Sequence, residues 1–167
     1  MPSSLDCLKP KYRRVPTADR EFATAYFHWF FLILPARFPE TLIGNNVDAV
    51  LKLFMGPVMP KFIEPDAYAE YRRCFSDPAT IHASCEDYRA AASIDLVHDE
   101  ADMDRKISCP VLVLWGMKGL IGRKYDVLAI WRDRATQVAG SGLESSHWLA
   151  EEVPDETLAE LKRFLAA

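Results

Sequence analysis

The segment over residues 110–116 constrains the fold most. It reads Pro-Val-Leu-Val-Leu-Trp-Gly, a continuous apolar run with branched side chains, which is typical of a strand buried on both faces of a parallel sheet. The sequence then predicts a helix over 125–135, a short strand over 137–139 and a helix over 154–165. This strand–helix–strand–helix order indicates a parallel sheet. Because two parallel strands are too few to be covered on both faces, we expect the sheet to extend into residues that this chain does not contain.

The preceding part of the chain is divided into short helices by prolines and capping residues. The pattern predicts helices from Thr17 or Asp19 to about Leu34, over 47–55, from Glu64 to about Phe75, onward from Pro78, and over 95–106. The stretch 22–36 is apolar almost all round, yet it is shorter than the roughly 20 residues that a membrane span needs. It also contains His28, so we interpret it as an interior or interface helix and expect no membrane partner.

Composition narrows the function classes. The net charge is −4 at pH 7, which argues against nucleic acid or an acidic membrane as a partner. The cysteines are widely spaced, at Cys7, Cys74, Cys85 and Cys109, and form no CxxC pair. We therefore expect no metal, no cofactor, and buried thiols in a reducing, cytoplasmic setting.

One loop has the pattern of a catalytic segment. His147 follows the last predicted strand and precedes an amphipathic helix, a position from which an imidazole can serve as a general base. A base needs a nucleophile, normally on a sharp Gly-x-nucleophile-x-Gly turn, and no glycine pair in the sequence flanks a central Ser, Cys or Asp in that way. A Cys–His hydrolase using Cys7 or Cys109 is a rival, but neither cysteine lies on such a turn.

Five segments carry a resemblance to a known family. They are Leu-Asp-Cys-Leu-Lys-Pro (5–10), Tyr-Phe-His-Trp-Phe-Phe (26–31), Cys-Glu-Asp-Tyr-Arg-Ala (85–90), the strand 110–116, and Ser-His-Trp-Leu-Ala-Glu-Glu (146–152). Together they resemble the α/β-hydrolase fold and, within it, the haloacetate (fluoroacetate) dehalogenases. The His-Trp pair and the Glu-Asp-Tyr-Arg segment are the more specific motifs.

The resemblance implies an α/β fold that is a partial α/β-hydrolase, the C-terminal part only. Residues 1–16 would come from the end of a core strand and hold the acid loop. Residues 17–106 would form a helical cap domain. Residues 107–167 would form the last strands and helices of the parallel sheet.

The resemblance also assigns the site residues. His147 would be the general base and Asp6 the acid that orients it, while His28, Trp29 and Tyr88 would donate hydrogen bonds to the departing halide. No carboxylate stands between the end of the strand at Gly116 and residue 126, which supports Asp6. The family's Asp nucleophile, which attacks carbon to form an ester, is absent from this sequence.

The chain departs from the family at two further positions. Ser146 stands where a Gly usually precedes the His, and Trp148 stands where a Phe or Tyr is common. A serine would be strained at 146 if that position required a positive φ.

Two hypotheses from different classes follow. In the first, the chain is part of a dehalogenase-type hydrolase for a small 2-haloacid and acts only when complemented by a missing N-terminal half; a homodimer through the cap would use the helix over 22–34. In the second, it is a truncated non-catalytic remnant or an interaction module. An epoxide-hydrolase-like activity is a lesser alternative, because that family uses two cap tyrosines whereas the resemblance supplies only Tyr88.

Overall fold

The computed structural model describes residues 19–55 and 62–166. In these ranges the order of elements is seven helices, then a strand, two helices, a second strand and two final helices. The first seven helices are α1 Arg20–Ala25, α2 Phe27–Leu32, α3 Phe38–Gly44, α4 Val47–Met55, α5 Pro65–Phe75, α6 Pro78–Ala91 and α7 Ile94–Ala101. The remaining elements are β1 Val111–Gly116, α8 Leu120–Lys124, α9 Val127–Arg134, β2 Val138–Leu143, α10 Leu149–Glu152 and α11 Pro154–Leu165.

The two strands pair in parallel, as the sequence predicts. Val111 lies opposite Val138 and Gly116 opposite Leu143, and a separate bridge joins Ile107 to Ala135. The second strand is longer than the predicted 137–139. Gly-Ser-Gly at 140–142 has little intrinsic strand preference, so its strand geometry comes from pairing with β1.

The single long helix predicted from 17 or 19 to Leu34 is wrong. The chain forms two short helices interrupted at Tyr26, whose φ of −113° and ψ of 31° depart from helical values. The run of aromatic side chains on either side has modest helix propensity, because such residues lose rotamer freedom in a helix. None of the helices in the described ranges has the length and apolar character needed to cross a bilayer.

Two other boundaries differ from prediction. A helix that the sequence did not predict, α3, forms between Leu34 and residue 47, and Pro39 lies in its first turn, where a missing N–H costs nothing. The helix predicted over 95–106 ends at Ala101. Pro78 behaves as predicted, with the Asp77 carboxylate accepting a hydrogen bond from the amide of Ala79 at 2.9 Å.

The helical part has its own apolar core. Leu32, Ile43, Ile81 and Cys85 are buried together where α2, α3 and α6 meet. Leu51, Met55 and Ile63 form a second buried cluster. Only Cys85 fits the prediction of buried thiols among the described cysteines, because Cys74 and Cys109 are exposed. The division into a cap over 17–106 and a core over 107–167 remains a prediction.

An ion pair ties the helices together at one edge of this core. The guanidinium of Arg89 donates to both carboxylate oxygens of Glu40, at 2.8 and 3.2 Å, and to the carbonyl oxygen of Leu34 at 2.9 Å. Both charged side chains are largely buried, with 16% and 14% of their surface exposed. The hydrogen bonds from Arg89 lower the pKa of Glu40 to about 2.

We expect Arg89→Gln to destabilise the fold by about 2 kcal/mol, because it leaves the Glu40 carboxylate without its charged donor. The matched control is Arg73→Gln, whose partner Glu70 lies in water and whose loss changes little. Urea unfolding monitored by circular dichroism measures both. The ionised Glu40 carboxylate contributes to the free energy of unfolding above its ordinary pKa of 4.5, and this contribution is lost as the pH falls towards 2. The difference in the free energy of unfolding between wild type and Arg89→Gln therefore narrows between these pH values. Equal effects of the two substitutions would contradict the assignment.

Candidate active site

A cavity of about 690 Å³ lies between the helical part and the carboxyl end of β1. Its walls bring together residues that are distant in sequence. His28 and Tyr88 line it from α2 and α6, while Gly116 and His147 line it from the sheet side. Three of the predicted site residues, His28, Tyr88 and His147, therefore share one cavity.

His28 and Tyr88, the two predicted site residues on the helical side, are in contact. The rings of His28 and Tyr88 lie 6.0 Å apart, centre to centre, in an edge-to-face arrangement, and His28 also lies 5.5 Å from the ring of Phe54. Burial, and then the nearby imidazole of His147, lower the pKa of His28 below its ordinary value of 6.5. At neutral pH His28 is therefore uncharged, with one ring N–H available for donation. Burial and the charge of Asp87 raise the pKa of Tyr88, so its hydroxyl keeps its proton.

The loop that carries His147 comes unusually close to the end of β1. A Cβ atom on Gly116 would lie 1.5 Å from the carbonyl oxygen of Ser146. Glycine is therefore required at position 116 if this loop is to occupy its place. The amide of Lys118 donates to the carbonyl of Ser145 at 3.0 Å and fixes the same approach.

The carboxylate of Glu152 links the residues on both sides of His147 by hydrogen bonds. It accepts hydrogen bonds from the amide of Ser146 at 2.8 Å and the amide of Trp148 at 3.1 Å, and from the Ser146 hydroxyl. Partial burial raises the pKa of Glu152, but these hydrogen bonds outweigh it and the net shift is downward. The residues on both sides of His147 are thus held by one ionised side chain.

Ser146 is not strained by replacing glycine. Among the described non-glycine residues only Arg37 has a positive φ. Position 146 therefore does not require a positive φ, and the serine hydroxyl donates an additional hydrogen bond to Glu152.

The loop that carries His147 is also anchored to the helices. The Tyr71 hydroxyl on α5 donates to Glu151 at 2.7 Å, and the Trp148 ring packs against the cluster of Leu51, Met55 and Ile63. These contacts hold the loop opposite His28 and Tyr88 on the helical side of the cavity. Sequence reasoning missed the roles of these residues in holding the loop. In the sequence, Glu151 and Glu152 are only an acidic pair after the histidine, and Tyr71 has the spacing of a packing residue.

The structure does not bring Trp29 into this cavity. Its side chain is 47% exposed and lines a neighbouring apolar groove with Phe22 and Trp131. Successive residues of a helix point about 100° apart, so a helix that turns His28 towards the cavity turns Trp29 away from it. The leaving-group role of Trp29 stays a prediction.

The predicted acid, Asp6, lies outside the described residues. In the described part of the chain, no carboxylate forms an ion pair with the His147 ring. The acid role of Asp6 stays a prediction.

One other group has the spacing of metal ligands. Glu40, His82 and Glu86 have potential ligand atoms within 4.8 Å of one another. Arg89 already donates to both of these carboxylates, which offsets the negative charge that a cation would need. We assign no metal to it.

The parallel β1–β2 pair, the histidine loop after β2 and the helices over the carboxyl end of the strands define a partial α/β-hydrolase fold. Comparison with solved structures supports this class. The chain superposes on a protein from Nostoc sp. PCC 7120 described as an α/β-hydrolase with a TM-score of 0.82 and 59% identity, over 89% of this chain and 52% of that one. A Pseudomonas aeruginosa protein described as an epoxide hydrolase gives a TM-score of 0.81 and 40% identity, over 90% and 51%.

Among curated proteins, the chain is a homologue of a fluoroacetate dehalogenase from a Burkholderia species. The two are 36% identical over 160 residues, which span 94% of this chain and 53% of that enzyme. The chain thus spans about half the length of the curated relatives it matches. No family model matches the sequence.

We expect Glu152→Ala to cost about 1–3 kcal/mol, because three buried or part-buried donors lose their acceptor. Amide hydrogen exchange at Ser146 and Trp148 should accelerate more than exchange in β1. Glu144→Ala is the control, since that side chain is 69% exposed and its nearest cation, on Lys118, is 3.6 Å away. Unchanged exchange at 146 and 148 would show that Glu152 does not hold the loop.

Proposed function

We propose that the cavity is the leaving-group side of a hydrolytic site of the dehalogenase type, with His147 as its general base. The observation that carries the proposal is that His28, Tyr88 and His147 line one cavity although they lie on three separate segments. The homology to fluoroacetate dehalogenase supports a carbon–halogen bond as the target.

The chemistry uses the neutral donors of the helical side. A carboxylate attacks the carbon that bears the halogen, the carbon–halogen bond breaks with its electron pair, and an ester forms. The departing halide accepts hydrogen bonds from the His28 imidazole and the Tyr88 hydroxyl, which are worth more in an apolar cavity than in water. His147 then takes a proton from a water molecule, and the resulting hydroxide hydrolyses the ester and frees the carboxylate.

On this proposal the attacking carboxylate comes from a polypeptide segment that is not part of this sequence. The sequence contains no Gly-x-Asp-x-Gly turn, and no described carboxylate lines the cavity. On this proposal the chain turns over substrate only when a polypeptide that carries the nucleophile completes the sheet. A small 2-haloacid is the proposed substrate class.

Two further parts of the proposal concern assembly and place. Exposed Trp29 and Phe30 on α2 give a surface that could pair with a second copy through the helical part. A cytoplasmic location fits the exposed free thiols of Cys74 and Cys109, which a reducing environment protects.

An epoxide-hydrolase-like activity is the second candidate, and one observation favours it. Tyr26 lines the same cavity as Tyr88, so the site holds two phenols rather than the one that the resemblance supplies. The Pseudomonas aeruginosa structural relative described as an epoxide hydrolase agrees with this reading. If the chain is instead a non-catalytic remnant or an interaction module, it turns over no substrate, whether alone or together with an N-terminal half.

Fluoride release from fluoroacetate tests the proposal. The purified chain alone should release none. We expect release after co-expression with the first half of the Burkholderia fluoroacetate dehalogenase, which precedes the matched part. His147→Gln should reduce release to at most one fluoride per complex, because the halide leaves when the ester forms and the unhydrolysed ester then blocks further turnover.

His98→Gln provides the matched control, since His98 is exposed on α7 away from the cavity. Release by the chain alone would contradict the need for a second segment. A soluble complex of the two halves that releases no fluoride would contradict the dehalogenase assignment.

A further inference from the structure

We propose that Tyr71 is a positioning residue for His147, although it lies on α5 and does not line the cavity. It acts through two residues that follow the histidine, Trp148 and Glu151. This inference rests on the proposed function, because it concerns the imidazole of the proposed base. It extends that function by giving the helical part a second task, which is to orient the base.

The His147 ring has few contacts of its own. The residue is exposed, and among residues 19–55 and 62–166 its ring forms no hydrogen bond and no ion pair. The ring of Trp148 lies against it edge to face, with the two ring centres 5.4 Å apart. The orientation of the imidazole therefore depends on where the Trp148 ring is held.

The helical part holds the Trp148 ring. This ring and the side chain of Tyr71 both pack against the second buried cluster, which is formed by Leu51, Met55 and Ile63. The indole thus lies between that cluster and the imidazole. A shift of the helices relative to the loop would move the ring that contacts His147.

A hydrogen bond joins α5 to α10, the short helix that follows the loop. The Tyr71 hydroxyl donates to the Glu151 carboxylate at 2.7 Å. This hydrogen bond, and then burial, raise the pKa of Tyr71 above its ordinary value of 10, so the hydroxyl keeps the proton that it donates. The amide of Glu151 in turn donates to the carbonyl oxygen of Trp148 at 3.2 Å. Holding Glu151 therefore also holds the backbone of Trp148.

A second tyrosine on α5 provides a matched comparison. Tyr68 packs against the same cluster, and its buried hydroxyl has no hydrogen-bond partner in the described part of the chain. Tyr68→Phe removes one oxygen atom without breaking a hydrogen bond, whereas Tyr71→Phe breaks the one to Glu151. A difference between the two variants therefore reports on that hydrogen bond.

The order of the His147 ring in the chain itself provides the first test, because it needs no nucleophile. Carbon-13 relaxation of the chain labelled at histidine Cε1 measures an order parameter for each imidazole. We expect Tyr71→Phe and Glu151→Ala to lower the order parameter of His147, and Tyr68→Phe to leave it unchanged. Glu151→Gln should also leave it unchanged, because the amide oxygen still accepts from Tyr71. Thermal melts confirm that each variant remains folded.

Turnover by the complex of the two halves provides the second test. Fluoride leaves when the ester forms, and His147 acts only in the following hydrolysis. Tyr71→Phe should therefore leave the rate of the first fluoride release per complex unchanged and lower the steady-state rate about fivefold, as expected for the loss of one hydrogen bond. Tyr68→Phe should change neither rate.

The outcomes separate this inference from the proposed function. An order parameter of His147 that Tyr71→Phe leaves unchanged overturns the inference and retains the proposed function. Equal effects of Tyr68→Phe and Tyr71→Phe, or equal slowing of the first and later turnovers by Tyr71→Phe, also overturn it, because a general loss of structure explains them. A lowered order parameter in Tyr71→Phe, with no fluoride release by the wild-type complex, retains the positioning of His147 by Tyr71 and overturns the dehalogenase function.

Discussion

The contact between the end of β1 and the loop after β2 is the constraint on which the site depends. The loop backbone at Ser146 comes so near Gly116 that any side chain there would collide with it. Glu152 then satisfies the amides on both sides of His147. The His147 imidazole is consequently presented from a short, internally bonded turn rather than from a free loop, which is the pre-organisation that the proposed role as general base requires.

The opposite side of the cavity is held by different forces. The helices bury their own apolar cluster around Ile43 and Cys85, and the ion pair between Arg89 and Glu40 joins α3 to α6 beside it. Tyr88 immediately precedes Arg89 on α6, so the ion pair also fixes the helix that carries Tyr88 to the cavity. The proposed donors and the proposed base thus come from two separately stabilised parts, and the proximity of His147 helps to keep His28 neutral.

Local sequence signals were sufficient where one segment decides its own conformation. The strand before Gly116, the start of α6 at Asp77-Pro78 and the helix over 154–165 all formed as predicted. They failed where distant residues decide. The Gly-Ser-Gly segment of β2 takes its strand geometry from β1 across the sheet. Around Tyr26 the apolar pattern suggested one helix, but the modest helix propensity of the aromatic run accompanies a break into two.

The sequence by itself determined that a helical part precedes two parallel strands, that a histidine follows the last strand and that the chain resembles the dehalogenases, because these features depend on residue type and spacing along the chain. Only the tertiary structure decided which side chains share a cavity. It brought His28, Tyr88 and His147 together, added Tyr26, and left Trp29 outside. The physical reason is that the direction of a side chain depends on the rotation of its helix, which packing against other segments sets and which adjacency in sequence does not reveal.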